Sequence, residues 1–176
     1  MKKTMVATLS VVALVFAGTS QADAPKAGST AKAHTHEPAQ AEGMPSINVP
    51  ADARAATATA DRFNNALHAG DLKTVEVLLD PDVLILESGG AERSRKQYLG
   101  HHALADAKFL KDAHVQLMQR TARRSGDLVW VGSESEIHTQ KGDKPLTLLS
   151  TESMILKQVG DDWRIVHIHW SSRPKS

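Results

Sequence analysis

Residues 161–172 read DDWRIVHIHWSS, a run with the pattern of a β-strand entered from a tight turn. Gly160, Asp161 and Asp162 are turn-forming residue types, and mostly β-branched and aromatic residues follow them. Because side chains alternate between the two faces of a strand, the run divides into two sets. Strict alternation places on one face Trp163, Ile165, His167, His169 and Ser171, and on the other Val166, Ile168 and Trp170. One face is therefore predicted to carry a histidine pair.

The first half of the folded region shows helical spacing of its apolar residues. This spacing predicts a first helix that ends at Gly70 and a second, short helix capped by Asp71. The continuous apolar run 83–86 predicts a strand buried on both faces. Ser94 and Gln97 form a capping-box pattern that opens a third helix. Its inward stripe is predicted to be Tyr98, His102, Ala105 and Phe109.

After residue 112 the pattern changes from helices to strands. Turns at residues 125–127 and 141–143 separate three alternating segments that precede the strand at residues 163–172. The predicted order is α-α-β-α-β-β-β-β. Helices that come first and consecutive strands that come last are typical of an α+β domain with a curved antiparallel sheet. Helices packed against such a sheet are expected to leave a cavity between the two layers.

The N-terminal residues are predicted to lie outside the fold. Residues 1–22 have the order of a secretory signal, with two lysines, an apolar run of about 13 residues and a small-residue cleavage site at Ala22. That run is shorter than the roughly 20 residues of a membrane-spanning helix. Residues 23–50 are predicted to be a disordered linker and residues 51–173 the domain. The chain is predicted to be periplasmic or secreted in a bacterium, without membrane association after cleavage.

The composition argues against several classes of function. The chain has 21 basic and 20 acidic residues, so no large basic field favours nucleic acid as a partner. It contains no cysteine, which excludes a disulfide framework and a thiolate metal site. A length of 176 residues fits one ordinary domain with short extensions.

The element order and the ending at residues 161–172 resemble the nuclear transport factor 2-like superfamily and, within it, the bacterial SnoaL-like (DUF4440-type) proteins. Their usual ending, Trp-x-Ile-x-His-x-His-x-Ser, matches residues 163–171. The same ending is similar to the association domain of calcium/calmodulin-dependent kinase II. The resemblance covers residues 52–173. It implies a cone-shaped fold with a pocket, a homodimer formed through the outer sheet face, and acid/base chemistry without a cofactor in those relatives that are isomerases or dehydratases.

The resemblance also implies which residues line the pocket. Transferred from the kinase association domain, the pocket face holds Gly132, Glu134, Glu152, Met154, Ile168 and Trp170. Three pocket arginines of that domain correspond here to Gly132, Met154 and Trp170. Their absence argues against a small carboxylate ligand and favours an unknown small molecule that is apolar or cationic. His102 matches a pocket histidine of the same family.

Glu87, His102 and Asp106 are the candidate catalytic residues. Glu87 ends the first strand at the mouth of the cone, and Asp106 lies one helical turn after His102. Burial raises the pKa of a carboxyl group, and imidazoles exchange protons near neutral pH. At this spacing Asp106 is expected to reach His102 and set its tautomer. The alternative is that His102 and Asp106 form a buried pair without a catalytic role.

A different hypothesis uses histidines as copper or zinc ligands. His167 and His169 lie two apart on one strand, His138 lies on another, and His34 and His36 lie in the linker. The alternative is that the strand histidines belong to the outer sheet face and bond to the backbone, because two ligands fall short of a tight metal site. The sequence thus leaves three functions open: small-molecule binding with or without isomerase or lyase chemistry, metal binding, and non-catalytic dimerisation.

Overall fold

The computed structural model describes residues 44–176. The predicted signal peptide and most of the predicted linker, including His34 and His36, lie outside these residues. Among the residues that are described, no helix is both long enough and apolar enough to cross a membrane.

Four α-helices lie between residues 54 and 111. A 3-10 turn at Ala51–Ala53 leads into α1 (Arg54–Ala69), α2 (Leu72–Leu78), α3 (Arg95–Gly100) and α4 (Ala103–Lys111). Gly70 ends α1 with a φ of 73°, which a residue without a Cβ adopts at little steric cost. The side chains of Asp71 and Ser94 each accept a hydrogen bond from a backbone N–H three residues later. The predicted C-cap and both predicted N-caps are therefore confirmed.

Seven strands form a single sheet in this part of the chain. They are β1 (Ser46–Asn48), β2 (Leu79–Glu87), β3 (Gly90–Glu92), β4 (His114–Ser125), β5 (Leu128–Lys141), β6 (Lys144–Val159) and β7 (Asp162–Pro174). Their order across the sheet is β1-β4-β5-β6-β7-β2-β3. The pairs β4–β5, β5–β6, β6–β7 and β2–β3 are antiparallel, whereas β1–β4 and β2–β7 are parallel. The predicted α+β fold with a curved, mostly antiparallel sheet is confirmed.

The strand β1 lies inside the segment predicted to be a disordered linker. Its residues pair with β4, from Ser46 opposite Gln119 to Asn48 opposite Thr121. The prediction of disorder is therefore wrong for these residues, because backbone groups on the open edge of β4 supply hydrogen bonds that composition does not reveal. The short strand β3, which returns alongside β2, was also not predicted.

The two faces of the sheet have different surroundings. We call the face that packs against α1 the inner face and the opposite one the outer face. Inner-face residues from several strands join α1 in one core, which includes Phe63, Leu67, Ile85, Val131, Met154 and Ile168. Leu84 points to the outer face and is 37% exposed. The prediction that β2 is buried on both faces is therefore wrong, because the core helices pack on only one of them.

A β-bulge interrupts the alternation in β7. Ile155 and Leu156 of β6 pair with His167 and Ile165, which leaves Val166 as an extra residue. The inner face consequently receives Trp163, Ile165, Ile168 and Trp170, while His167 and His169 lie on the outer face. Strict alternation had grouped Trp163 and Ile165 with the histidines. That prediction is wrong because one extra residue reverses the direction of every side chain after it.

Two helices replace the single predicted third helix. The residues between α3 and α4 leave the helical conformation, with His101 at φ −122° and ψ −77°. This break changes which side of α4 faces the core, so its buried residues are Ala103 and Ala107. Within the predicted inward stripe, Tyr98 is confirmed. The prediction is wrong for His102, Ala105 and Phe109, which are exposed.

Candidate functional site

Five side chains with titratable groups meet beside the ends of β2 and β3, and we call them the acid cluster. They are Glu87, which ends β2, Glu92, which ends β3, Tyr98 in α3, His102 just before α4, and Asp106 in the first turn of α4. The turn between β2 and β3 places Glu92 on the same sheet face as Ile85, with which it pairs. The fold thus brings the three predicted catalytic residues together and adds Glu92 and Tyr98.

Glu92, and not Asp106, orients His102. Nδ1 of His102 contacts Oε1 of Glu92. The Glu92 side chain is 5% exposed and the His102 side chain 56% exposed, so a buried acid holds an imidazole that also meets solvent. The side chain of His102, which precedes α4, is directed toward β3, so the predicted Asp106–His102 side-chain contact is wrong. Glu92 was missed, although a hairpin at Ser88-Gly89-Gly90 would have placed it beside β2.

Tyr98 is bonded to Asp106. Its hydroxyl group donates a hydrogen bond to Oδ2 of Asp106 over 3.0 Å, and its side chain is fully buried. Burial and the neighbouring acids, Asp106 first among them, raise the pKa of the Tyr98 hydroxyl far above its ordinary value. The hydroxyl therefore stays protonated and serves as a hydrogen-bond donor. Sequence reasoning placed Tyr98 on the inward stripe but did not assign it this contact.

The carboxyl groups of Glu87 and Asp106 both have raised pKa values. For Glu87 burial is the largest cause and the charge of Asp106 the next, while His102 acts in the opposite direction. For Asp106 burial is again the largest cause, opposed by the hydrogen bond from Tyr98 and by the charge of His102. Acids with raised pKa values beside an imidazole are suited to donating and accepting protons.

A second polar group, which we call the inner network, lies on the inner face around Glu152. Oε2 of Glu152 accepts a hydrogen bond from Nε1 of Trp170 over 2.9 Å, and Oε1 accepts one from Nδ2 of Asn64 over 3.2 Å. The hydroxyl group of Ser133 also lies 3.5 Å from Oε1. Residues from α1, β5 and β7 thus converge on one carboxylate of β6.

Arg120 extends the inner network and was missed by sequence reasoning. Its side chain is 7% exposed, its Nε donates to Ser133 over 3.2 Å, and its Nη1 contacts the carboxylate of Asp61 on α1. A bulge at Met118 sets which β4 residues face inward, and alternation alone does not reveal a bulge. The inner face therefore carries an arginine, although not at positions 132, 154 or 170, which correspond to the pocket arginines of the kinase association domain. The carboxylate of Asp61 balances its charge.

Four of the five residues predicted to bind a ligand lie on the inner face. Glu152 and Trp170 are half-buried, whereas Met154 and Ile168 are fully buried and pack in the core. The ring centroid of Trp170 lies 6.3 Å from that of Phe63 and 6.2 Å from that of Tyr98. Trp170 also pairs in register with Glu87. It therefore connects the inner network with the acid cluster.

Glu134, the fifth of these residues, lies on the outer face, and so does Gly132. The neighbour between them, Ser133, is buried and points inward. The prediction that Glu134 and Gly132 line the pocket is wrong, because Val131 and Ser133 take the inward positions of β5 and alternation turns their neighbours outward. Glu134 instead lines an outer-face groove of about 420 Å³, together with Glu136 and Arg173.

The strand histidines lie on the outer face at separate places. Nδ1 of His167 lies 2.8 Å from the backbone oxygen of Leu84. His138 stacks on His114 with ring centroids 5.9 Å apart, and β6 separates its strand from the one that carries His167 and His169. Within residues 44–176, no group of three or more histidine and acidic side chains is arranged to hold a metal ion.

Comparison with known proteins identifies the domain. The family model of the SnoaL-like domain matches residues 56–174. A protein from Shewanella frigidimarina NCIMB 400, named "putative ketosteroid isomerase", is 31% identical over 71% of this chain and 98% of its own, with a TM-score of 0.66. No curated protein matches significantly.

Two more distant structures share the fold. The hub of calcium/calmodulin-dependent kinase II from S. rosetta is 21% identical over 71% of this chain and 100% of its own, with a TM-score of 0.59. A "putative dehydratase from the NTF2-like family" from Streptomyces avermitilis is 19% identical over 71% and 96%, with a TM-score of 0.60. The family match, these two structural likenesses and the order of the elements all agree with the resemblance inferred from residues 161–172. The chain belongs to the SnoaL-like domain family of the nuclear transport factor 2-like superfamily.

Proposed function

We propose that this SnoaL-like domain binds a small neutral molecule at the acid cluster and catalyses a proton transfer of the isomerase or lyase type. The observation that carries the proposal is the convergence of an imidazole, a phenol and three carboxyl groups, from four elements and one loop, at the ends of β2 and β3. The isomerase and dehydratase names of the Shewanella and Streptomyces proteins support this class of reaction.

His102 is the proposed base. Glu92 holds its Nδ1, which leaves Nε2 to take a proton from a carbon atom next to a carbonyl group of the ligand. The Glu92 carboxylate stabilises the imidazolium that forms. In an isomerisation the same imidazolium returns the proton to another carbon, so the enzyme ends the cycle unchanged.

Asp106 and Glu87 are the proposed partners of the ligand oxygen. A carboxyl group with a raised pKa is protonated over a wider pH range and can donate a hydrogen bond to an oxygen atom that gains charge. Tyr98 holds Asp106 in place through Oδ2. Since Asp61 already matches the charge of Arg120, the site offers a neutral carbonyl compound a better fit than an anion.

Isomerisation of cyclohex-3-enone to its conjugated isomer tests this proposal, with ultraviolet absorbance and deuterium uptake from D₂O as readouts. His102→Ala is expected to lower kcat/KM by about 10²–10⁴-fold, the usual contribution of a general base. His169→Ala, an exposed outer-face histidine, is the matched control and should retain full activity. Equal rates in wild type and His102→Ala, or no rate above buffer and no thermal shift with the ketone, would overturn the proposal.

We also propose that a second copy of the chain packs on the outer face. This is the interface that the dimerisation hypothesis predicts. An almost apolar row crosses this face through paired residues of β5, β6, β7 and β2, namely Trp130, Ile155, His167 and Leu84. Trp130 is 42% and Leu84 37% exposed in the single chain. Light scattering should show a dimer for the wild type and for Leu104→Glu on α4, but a monomer for Trp130→Glu. A monomeric wild type would contradict this interface.

We further propose export to the periplasm or medium, on the pattern of residues 1–22 alone. Mass spectrometry of protein expressed with residues 1–22 in place in a Gram-negative host should find a chain that begins at Asp23. An intact N-terminus in the cytoplasmic fraction would contradict export.

A further inference from the structure

We infer that Glu152 is a positioning residue for the proposed proton transfer: it holds the indole of Trp170, and Trp170 holds Tyr98 against Asp106. The inference rests on the proposed function for its catalytic meaning. Its structural part concerns the free protein and can be tested without a substrate.

Glu152 accepts hydrogen bonds through both of its carboxylate oxygens. One oxygen accepts from the indole N–H of Trp170 and the other from the amide of Asn64, with the hydroxyl of Ser133 nearby. The indole N–H of Trp170 can only donate, so it depends on an acceptor at position 152, whereas the amide of Asn64 can donate or accept by turning over. Glu152→Gln can therefore still serve both partners. Glu152→Leu keeps a similar size but offers no acceptor to either.

Trp170 links Glu152 to the acid cluster, because its ring packs against Tyr98. Its ring lies between Phe63 and Tyr98, at 6.3 and 6.2 Å between centroids, and its backbone pairs with Glu87. Tyr98 has no exposed surface, so its ring position depends on the side chains that surround it. A displaced indole would consequently displace Tyr98.

Tyr98 in turn sets the environment of Asp106. Its hydroxyl donates to Oδ2 over 3.0 Å, and this hydrogen bond favours the charged form of the carboxyl group. If Tyr98 moves, Asp106 loses that donor and its pKa rises further. The chain Glu152, Trp170, Tyr98 and Asp106 thus connects a half-buried carboxylate that touches no reacting atom with one that does in the proposed reaction.

NMR spectroscopy of the free protein provides the test. The indole N–H resonance of Trp170 reports the Glu152 bond, and the carboxyl carbon of Asp106 reports its titration midpoint. Glu152→Leu is expected to move the indole resonance and to raise the Asp106 midpoint by about 0.5–1 pH unit. Glu152→Gln keeps an acceptor for the indole, so both signals should stay close to those of the wild type.

Thr57→Val is the matched control for a loss of stability. Its buried hydroxyl donates a hydrogen bond to the carbonyl of Ala53, just before the same helix, and contacts neither polar group, so the variant should leave the Asp106 midpoint unchanged. An unchanged midpoint in Glu152→Leu with a shifted indole resonance would overturn the inference and leave Glu152 a purely structural acceptor. The same holds if Glu152→Gln moves the midpoint as far as Glu152→Leu does. A domain without isomerase activity that still shows the midpoint shift would refute the proposed function but not this coupling.

Discussion

At the scale of single residues, burial sets the chemistry of the acid cluster. Glu87 is half-buried near Asp106, and its pKa is raised. A group that binds its proton more tightly in the folded chain contributes stability that is fully present below its ordinary pKa. That contribution is lost as the pH rises through the raised value. Above both values the charged Glu87 lowers the free energy of unfolding.

Glu87→Gln is therefore expected to stabilise the domain in a pH-dependent way. The midpoint of thermal unfolding should rise on the order of 2 °C at about pH 8, and most of this gain should disappear near pH 4. Scanning calorimetry across this range measures it, with Glu134→Gln on the outer face as the control. A gain of equal size at both ends of the range would mean that the charge of Glu87 is not its cause.

At the scale of elements, one extra residue in a strand decides which side chains meet. The bulge at Val166 lets Trp163 and Ile165 share the inner face with Ile168 and Trp170. Without it, the two halves of β7 would present their apolar side chains to opposite faces.

Deletion of Val166 should accordingly prevent cooperative folding, since either Ile165 or Ile168 would then face outward. Val166→Ala keeps the bulge and should fold with a loss of about 1 kcal/mol or less, because the side chain is only partly buried. Circular dichroism with urea unfolding distinguishes the two. A deletion variant that unfolds cooperatively at the wild-type midpoint would show that the bulge is dispensable.

The cap of α3 matters because this short helix carries Tyr98. Ser94 accepts from the backbone N–H of Gln97, and the side chain of Gln97 accepts from the backbone N–H of Arg93. Ser94→Ala should lower the free energy of unfolding by about 1 kcal/mol, whereas Ser94→Asp should keep the cap. Urea unfolding measures the loss, and amide hydrogen exchange should show faster opening in residues 95–100. Equal exchange in the two variants would argue against the cap.

At the scale of the whole molecule, one core couples α1 to the sheet and to the site. Phe63 is fully buried in α1 and stacks against Trp170, so the same contact serves stability and the position of the site. The inner network adds polar contacts between α1 and the sheet, through Asn64 and Asp61.

Phe63→Ala should cost about 3–5 kcal/mol of unfolding free energy, because it removes a buried ring and leaves a cavity. Phe109→Ala is the control, since this side chain is 44% exposed and its loss should cost much less. Urea unfolding measures both changes. A cost of less than about 1 kcal/mol for Phe63→Ala would mean that the surrounding core is loosely packed.

The sequence by itself determined the class of fold, the helix caps and the turns between strands. Periodicity, the cap residues Gly70, Asp71 and Ser94, and the turns between strands depend on neighbours along the chain, so a single sequence contains them. The ending at residues 163–171 was enough to identify the superfamily. The resemblance, together with the local spacing of Asp106 and His102, brought Glu87, His102 and Asp106 forward as members of one site.

Only the tertiary structure decided which partners these residues have. The bulges at Met118 and Val166 depend on pairing with neighbouring strands, and they move Arg120 and Ile165 to the inner face. The hairpin of β2 and β3 brings Glu92 to His102, and the break before α4 turns Asp106 toward Tyr98. Such contacts join residues that are distant in sequence or separated by an irregular turn. Hydrogen bonding and close packing across the fold select them, and no local spacing encodes that selection.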